Sequence, residues 1–447
     1  MMTTPICDFV KKYAEDAKLR LHMPGHKGKS FLGSEHLDIT EIDGADVLYH
    51  ARGIIKQSED NAATLFGTQK TVYSCEGSSL AIRAMLYLAL MYAKSCGKKP
   101  IIAAGRNAHK TFLTAAALLD LDISWIYPEK SESVVSCEIS AEYLEKILLD
   151  MPEPPTAVYI TSPDYLGNVA DIAALAKVCR KHGVLLLVDN AHGAYLGFLE
   201  ESLHPIALGA DACCDSAHKT LPVLTGGAYL HISANAPKVF CHQAENAMSL
   251  FASTSPSYLI MQSLDYANKY IAEGYKARLA EFCKKLDALK TRLIKAGYTL
   301  IGNEPLKLTV SAKAYGYKGD ELANILLKEG IVCEFSDPDY LVLMFTPENS
   351  DKDLNALEKA LLQIEKKDEI KGKMPLMAKP IKKLSPREAM LAPCERVKVI
   401  ECKGRVLASA NVSCPPAIPI LVCGEVIDES AVSLLNYYGI TECDVVI

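Results

Sequence analysis

The chain has 447 residues, of which 49% are hydrophobic and 23% are charged. This composition is typical of a soluble globular protein with a core large enough for two or three domains. The formal net charge of −6 gives no indication of a basic surface for nucleic acid or an anionic membrane. The longest apolar run, residues 80–92, is interrupted by Arg83 and is too short to span a bilayer. The first twelve residues lack the apolar core of a secretory signal, so we expect a cytoplasmic protein.

The cysteine pattern argues against a disulfide framework and against a metal centre. Fifteen cysteines are scattered along the chain, and none forms a C-x-x-C pair. A chain of this length needs no disulfides for stability, and no zinc-ligand spacing is present. We therefore predict free thiols in a reducing compartment and no metal site.

Short apolar runs alternate with helical patterns between about residues 70 and 235. This alternation is typical of a mostly parallel α/β sheet with helices on both faces, which binds ligands at the carboxyl ends of its strands. The predicted strands are Ile101–Ala104, Ser124–Tyr127, Ala157–Thr161 and Val184–Val188, and the predicted helices are Leu80–Lys94, Lys110–Leu119 and Ile172–His182.

The second half of the chain predicts a long helical region, Met261–Lys295, followed by a smaller α+β region. Its predicted strands are 306–310, 331–335 and 340–345, and its predicted helices are 321–328 and 352–367. A lysine-rich stretch with prolines, 366–383, reads as a linker to a compact tail, 388–447. We predict an N-terminal segment 1–50, a large domain 51–270, a small domain 271–370, and a linker with a C-terminal domain 371–447.

Two polar clusters thirty residues apart carry the most specific chemical signal. Asp189 closes the strongest predicted strand, and Lys219 lies in a Ser-Ala-His-Lys turn. Pyridoxal 5'-phosphate (PLP) chemistry needs a lysine that forms an imine with the cofactor aldehyde and a carboxylate that keeps the pyridine nitrogen protonated. The alternatives are a helix-capping aspartate and a solvated lysine in a loop. Apolar flanks on both sides of the turn argue against an exposed loop.

Several neighbouring residues suit the remaining parts of such a cofactor. Gly77, Ser78 and Ser79 precede a predicted helix, whose free N–H groups attract an anion; the alternative is an ordinary N-cap. Ser216 and His218 can also hold a phosphate. Ala191, near His192, is small enough to pack against a ring face.

His109 follows the strand that ends at Ala104, within Arg106-Asn107-Ala108-His109-Lys110. A histidine in this place can lie flat on a cofactor ring and later move protons. The alternative is a structural or solvated histidine. Arg106 and Lys110 read as surface or anion-pairing charges.

An ordered set of motifs resembles the bacterial Orn/Lys/Arg decarboxylases. The set comprises Leu21-His22-Met23-Pro24-Gly25-His26-Lys27-Gly28, which is similar to the HxPGHK signature, then Asp38–Glu41, Glu76–Ser79, Asn107–Lys110, Asp189–Gly193, Ser216–Leu221, Ser253–Pro256, and the tail Pro415–Pro419 with Gly424-Glu425. The resemblance spans nearly the whole chain. It implies an aspartate-aminotransferase-like PLP fold whose mostly parallel sheet domain is followed by a smaller α+β domain and a C-terminal extension.

The resemblance also implies roles for individual residues. Lys219 would bind the cofactor aldehyde, Asp189 the pyridine nitrogen, and His109 would stack on the ring. The phosphate would be held by residues of one chain, namely Gly77, Ser78, Ser79, Ser216 and His218. Ser253 or Thr254 would reach it across a homodimer interface. Ala191 and His192 would complete the cofactor site. The implied reaction removes the α-carboxylate of arginine, lysine or ornithine, and the implied enzyme serves polyamine synthesis.

The chain departs from the family pattern at four places, one of which is the Gly226-Gly227 pair after the lysine segment. It begins almost directly at the Pro-Gly-His-Lys segment, so it resembles the short form, without the amino-terminal wing domain and its larger assemblies. Glu76 stands where the family has Asn, and Ala417 replaces a glycine of the tail motif. These departures leave the substrate open among the three basic amino acids.

Two other functions remain open from the sequence. An aminotransferase or β-eliminating lyase can use the same fold, and a non-catalytic protein can bind PLP. The distal cation of a basic substrate needs an acidic partner. Candidates for it are Glu41, Asp43, Asp46, Asp164 and Glu425.

Overall fold

The computed structural model describes residues 2–130, 133–372, 374–409, 413–414 and 418–447. Pro415, Pro416 and Ala417 of the tail motif lie outside the described residues. The chain divides into two compact units. Unit 1 comprises Met1–Pro100, Glu153–Val158 and Ile172–Arg278, and unit 2 comprises Ile101–Pro152, Tyr159–Asp171 and Leu279–Ile447. The domain boundaries at residues 50, 270 and 370 stay a prediction.

The largest sheet has seven strands in the order β1-β7-β6-β5-β4-β2-β3. These strands are β1 (Lys70–Ser74), β2 (Ile101–Gly105), β3 (Asp122–Ile126), β4 (Ala157–Thr161), β5 (Leu185–Asp189), β6 (Ala212–Asp215) and β7 (Ala228–Ile232). Strands β2 and β3 are parallel, as are β5 and β6, whereas β7 runs antiparallel to both β1 and β6. The predicted mostly parallel α/β fold is confirmed.

Helices of the first 272 residues connect these strands. They are α1 (Pro5–Glu15), α2 (Ile54–Phe66), α3 (Gly77–Ser95), α4 (Lys110–Leu119), α5 (Ala141–Asp150), α6 (Ile172–Lys181), α7 (Ala217–Thr220), α8 (Lys238–Ser249) and α9 (Tyr258–Ala272). In unit 1, all five residues of β5 are buried, because a strand covered on both faces is apolar throughout. At the far end of the unit, Asp265 of α9 accepts hydrogen bonds from the backbone N–H groups of Ile6 and Cys7 and so anchors α1.

Unit 2 contains a four-stranded antiparallel sheet in the order β10-β11-β9-β8. Its strands are β8 (Leu300–Ile301), β9 (Lys307–Ser311), β10 (Phe335–Ser336) and β11 (Tyr340–Met344), and its helices include α10 (Tyr275–Lys295), α11 (Gly319–Lys328) and α12 (Asp351–Leu362). The C-terminal part adds α13 (Pro386–Leu391), β12 (Cys394–Lys398), β13 (Ser413–Cys414), β14 (Ile418–Pro419), α14 (Glu429–Tyr437) and β15 (Glu442–Val446). Its apolar side chains, such as Leu421 and Leu435, share one core with Phe335 and Val342 of the sheet.

Three predicted elements differ from the structure. The helical region 261–295 is two helices, because Gly274 between α9 and α10 has a φ of +85°, which a helix does not allow. The strand predicted over 331–335 is wrong except at Phe335, where the two-residue strand β10 begins. Helix α12 ends at Leu362, five residues before its predicted end.

Candidate active site

Asp189 is the last residue of β5 and is 2% exposed. Its Oδ1 accepts a hydrogen bond of 3.2 Å from the backbone N–H of Ala191 and one of 3.5 Å from the thiol of Cys214 on β6. Both donors hold the carboxylate in one orientation at the carboxyl end of the strand. A buried, oriented carboxylate can pair with a cationic ring nitrogen of a ligand.

Lys219 lies in the single turn of α7, directly after β6. Its Nζ is 2.8 Å from Nε2 of His192, which is 4% exposed and follows β5. The adjacent parallel strands β5 and β6 end side by side, so the two polar clusters thirty residues apart in sequence meet here. The arrangement places a half-buried primary amine beside an imidazole, and the pair can exchange a proton.

The first turn of α3 lies beside the start of α7. Ser216 Oγ donates a hydrogen bond of 2.8 Å to Ser78 Oγ, and Ser216 is 2% exposed. Gly77 adopts a φ of +70°, and nothing lies within 4 Å of the position that a Cβ would occupy on it. The helix N-terminus therefore presents hydroxyl and backbone N–H groups around an open space, which suits an anion.

The serines of this turn are not the ordinary N-cap that the sequence left open. The N-cap residue is Glu76, and its side chain makes no capping hydrogen bond among the described residues. Its Oε1 instead accepts a hydrogen bond of 2.7 Å from the backbone N–H of Ser253. Glu76 thereby tethers the segment of Ser253 and Thr254, both exposed, near the turn.

His218 and Gly227 connect α7 to β7. Nδ1 of His218 lies 3.0 Å from the carbonyl oxygen of Gly227. The backbone N–H of Gly77 donates to the carbonyl oxygen of Gly226 over 2.7 Å. The Gly226-Gly227 pair after the lysine turn thus supports both α3 and α7.

A buried polar cluster behind α7 was not predicted from the sequence. Asp215, the last residue of β6, is fully buried and lies 3.1 Å from Nε2 of His204 and 3.3 Å from Nε2 of His231. Its Oδ1 accepts a hydrogen bond of 2.7 Å from Nδ2 of Asn190, the neighbour of Asp189. Burial would raise the pKa of Asp215, but the charges of His204 and His231, together with the hydrogen bond from His204, hold that pKa well below its ordinary value. The signal in the sequence is an aspartate in an apolar strand, since a buried charge needs partners.

His109, in unit 2, is the N-cap residue of α4. Its Nδ1 accepts a hydrogen bond of 3.2 Å from the backbone N–H of Thr111. This bond sets the orientation of the imidazole ring, which is half-buried. The structural alternative left open by the sequence is therefore present, and stacking on a cofactor ring stays a prediction.

Arg106 is buried in unit 2 and is not a surface charge. Its Nη2 donates a hydrogen bond of 2.9 Å to Oε2 of Glu425, and its guanidinium lies 5.2 Å from the ring centre of Trp125. Glu425 is 4% exposed and also accepts from the backbone N–H of Val422. Glu425 is consequently engaged in the protein interior and is a poor candidate for the distal group of a substrate. Lys110, in contrast, is exposed.

The other acidic candidates for the distal cation of a substrate are either hydrogen-bonded within the protein or exposed. Asp46 accepts hydrogen bonds from several backbone N–H groups at the start of α2, among them those of Arg52 and Gly53. Asp164 is buried and bonded to Ser136 and Asn168, which line a cavity of about 810 Å³ in unit 2. Burial raises the pKa of Asp164. Glu41 and Asp43 are exposed.

The HxPGHK-like segment is held by its own polar contacts. Nε2 of His22 lies 2.6 Å from the hydroxyl of Tyr13, and Nε2 of His26 lies 3.2 Å from Oδ2 of Asp38. Large apolar side chains nevertheless stand exposed around it: Leu19, Leu21, Met23, Phe31 and Leu32. None of the helices in the described part of the chain is long and apolar enough to cross a membrane.

Comparison with known proteins identifies relatives over most of the chain. The family profile "Orn/Lys/Arg decarboxylase, major domain" matches residues 4–297, and the profile of the C-terminal domain of the same family matches residues 373–443. An arginine decarboxylase of Bacillus subtilis is 30% identical over 97% of this chain and 93% of its own length. An arginine decarboxylase of Halalkalibacterium halodurans is also 30% identical, with the same coverage.

Solved structures show the same fold. The crystal structure of a lysine decarboxylase from Francisella novicida superposes with a TM-score of 0.80 at 16% identity, and the match covers 100% of this chain and 81% of that one. At this identity the likeness concerns the fold alone. The overall fold of this chain is thus one already seen in a solved structure.

Proposed function

Because this chain belongs to the Orn/Lys/Arg decarboxylase family and is an amino-acid decarboxylase, we propose that it uses PLP to remove the α-carboxylate of arginine, lysine or ornithine. The products are CO2 and the corresponding amine, for polyamine synthesis in the cytoplasm. The observation that carries the proposal is the meeting of Lys219 and His192 at the strand ends, beside the buried carboxylate of Asp189.

The residues at the strand ends fit PLP in charge and in chemistry. Lys219 supplies a primary amine for the aldehyde, Asp189 an anion for the pyridine nitrogen, and the first turn of α3 a cradle for the phosphate. Bound PLP supplies a cationic ring that accepts the electron pair left when the bond between the α-carbon and the carboxylate breaks.

In this proposal Lys219 and His192 carry out the proton transfers. The 2.8 Å contact allows the imidazole to take a proton from Nζ or to return one to it. After CO2 leaves, one of the two groups donates a proton to the α-carbon. Burial of His192 excludes bulk water from this transfer.

Asp189 acts on the ring nitrogen. The two hydrogen bonds to its Oδ1 fix the orientation of the carboxylate at the end of β5. An anion at this place stabilises a proton on the ring nitrogen and thereby increases the capacity of the ring to accept electrons. Ala191, whose backbone N–H is one of these two donors, has a side chain small enough to leave room for the face of the ring.

The phosphate is held by Gly77, Ser78 and Ser79 of the α3 turn, with Ser216 and His218 from the α7 side. Ser78 and Ser216 are already joined by a hydrogen bond of 2.8 Å. The helix N-terminus adds backbone N–H groups and a positive end of the dipole. In the proposed homodimer, Ser253 or Thr254 of a second copy would complete the set, in addition to the segment that Glu76 holds near the turn of its own chain, and His109 would stack on the ring.

The homodimer is supported by the exposed apolar side chains around the HxPGHK-like segment. Leu21 is 84% exposed and Leu32 is 93% exposed. Several large apolar groups exposed in one short stretch are typical of an interaction surface. A second copy of the chain is the partner that we propose for this stretch.

Arginine is the first substrate to test, since the two relatives at 30% identity are arginine decarboxylases. The guanidinium needs a carboxylate partner. Glu41 and Asp43 are exposed and available for it, whereas Asp46 is engaged at the start of α2 and Glu425 with Arg106.

The deciding experiment offers arginine, lysine and ornithine in parallel to purified protein with PLP. We expect CO2 and one amine from one of the three, as measured by chromatography of the amine product. Lys219→Ala serves as the inactive reference. Keto-acid formation in place of CO2 would indicate an aminotransferase, and bound PLP without turnover of any of the three would indicate a non-catalytic PLP-binding protein.

A further inference from the structure

Four buried donor side chains meet on one face of β6 and β7, just before the lysine turn. They are Cys213 and Asp215 of β6, His231 of β7, and His204 from the loop that precedes β6. None is more than 1% exposed. Cys213 and Asp215 share a face because they are two residues apart in a strand, and Cys213 is paired with His231 across the ladder.

The distances between the donor atoms match those of a tetrahedral metal site. Oδ2 of Asp215 lies 3.1 Å from Nε2 of His204 and 3.3 Å from Nε2 of His231, and the three atoms lie within 4.8 Å of one another. Zinc bonds of about 2.0–2.1 Å at tetrahedral angles place neighbouring donor atoms about 3.3–3.4 Å apart. Sγ of Cys213 lies 3.9 Å from Nε2 of His204 and is in position to be the fourth donor.

A ring nitrogen of His231 supports a metal ion by an observation other than the distances. Its Nε2 is fully buried and has no hydrogen-bond partner among the residues that the structure describes, although it lies 3.3 Å from the carboxylate of Asp215. Buried polar atoms without a partner are rare and indicate an ion or a water. Because this atom is directed at the carboxylate, a cation between the two would satisfy both.

The outer contacts of two of these residues, His231 and Asp215, also have the form found around metal ligands. Nδ1 of His231 lies 2.8 Å from Oγ1 of Thr71, and Oδ1 of Asp215 accepts from Asn190 over 2.7 Å. Histidine and carboxylate ligands are usually oriented by such bonds from their other polar atom.

We propose that His204, Asp215 and His231, with the thiolate of Cys213, bind one Zn²⁺ per chain as a structural ion. Two anionic and two neutral ligands leave the buried site without net charge, which limits the cost of desolvation. The ion joins β6, β7 and the loop before β6 at the base of the lysine turn. Through Asp215 and Asn190 it also steadies the residue next to Asp189.

The first test measures the metal content of tag-free protein, grown with added zinc, by plasma mass spectrometry. We expect about one Zn²⁺ per chain in the wild type and loss of most of it in His231→Gln. His242→Gln, at an exposed histidine of α8, is the matched control and should retain the metal. Wild-type protein without stoichiometric metal overturns the proposal, and so does a His231→Gln variant that keeps the metal. The histidines and Asp215 would then be joined by a shared proton and not by a metal ion.

The second test needs no variant that might fail to fold. A strong chelator should lower the melting temperature of the wild type, and added Zn²⁺ should restore it, since a metal that binds only the folded state stabilises it. Protein loaded with Co²⁺ in place of Zn²⁺ should show the absorption bands of tetrahedral Co²⁺ in the red part of the visible spectrum. Cys213→Ser should remove the charge-transfer band from thiolate to cobalt. An unchanged melting temperature together with no cobalt spectrum overturns the proposal.

Discussion

Nζ of Lys219 lies 2.8 Å from Nε2 of His192, across the carboxyl ends of β6 and β5. The two residues are 27 positions apart in sequence, and only the parallel pairing of the two strands brings them together. In the proposed decarboxylase this contact gives the cofactor-binding amine a partner for proton exchange.

Lys219→Ala should remove the visible absorbance of bound cofactor and reduce kcat by at least about 10³-fold, because the amine that forms the imine is lost. CO2 release and an absorbance spectrum measure the two effects. Lys238→Ala, at an exposed lysine of α8, is the control and should behave as wild type. Full turnover by Lys219→Ala would refute the assignment.

His192→Gln should retain bound PLP but lower kcat by about 10²-fold, the usual contribution of a positioned proton donor or acceptor. The pH profile of kcat should change in shape as well, since a group that transfers the proton has been removed. A lower melting temperature with an unchanged pH profile would show that His192 only packs beside Lys219.

Asp189→Asn should keep the two hydrogen bonds from Ala191 and Cys214 but remove the negative charge. We expect kcat to fall by about 10²-fold or more, because the ring nitrogen is no longer held protonated. The conservative variant Asp189→Glu, which restores the charge, should recover part of the activity. Equal activity in Asp189→Asn and the wild type would exclude the proposed pairing with the ring nitrogen.

The buried pair of Arg106 and Glu425 should show strong coupling in unfolding experiments. Removal of one partner, as in Glu425→Ala, should cost about 3–5 kcal/mol because the other charge stays buried without compensation. The double variant should cost less than the sum of the single variants. The exposed pair of Lys403 and Glu429 is the control, and its two residues should show little or no coupling because solvent screens their charges. Additive effects at the buried pair would contradict the prediction.

Glu59 should make stability depend on pH. Burial raises the pKa of this fully buried carboxyl to about 8 from an ordinary value of 4.5. Between these two pH values the folded chain holds a proton that the unfolded chain has released, so the free energy of unfolding falls as pH rises from about 4.5 to about 8. Glu59→Gln should flatten this dependence in denaturant titrations across that range. An unchanged slope would show that Glu59 is already ionised in the folded protein.

Local patterns in the sequence were sufficient for four strands of the large sheet, β2 to β5, and for the family, but not for β1, β6 and β7. Apolar runs such as the one before Asp189 predicted β5 to within a residue at each end, because a strand buried on both faces leaves a continuous apolar signature. The ordered motifs from His22 to Gly424 identified the decarboxylase family, which the comparisons confirm. The break at Gly274 was missed because a single glycine inside a helical pattern is often tolerated.

Contacts between residues far apart in the chain could not be predicted from the sequence. Nothing in the spacing of His204, Asp215 and His231 shows that they converge, because the convergence arises from the antiparallel pairing of β6 and β7 and the course of one loop. The same holds for Glu425, which the sequence offered as a substrate ligand and the fold pairs with Arg106.

The sequence by itself determined the residue types, such as Lys219 and Asp189, that PLP chemistry requires, and the family in which they occur. The tertiary structure decided the partner of each group: His192 for Lys219, backbone N–H groups for Asp46, and Arg106 for Glu425. The physical reason is that a side chain's chemistry is a property of its own atoms. Its protonation, orientation and availability depend on burial and on atoms brought near by the fold.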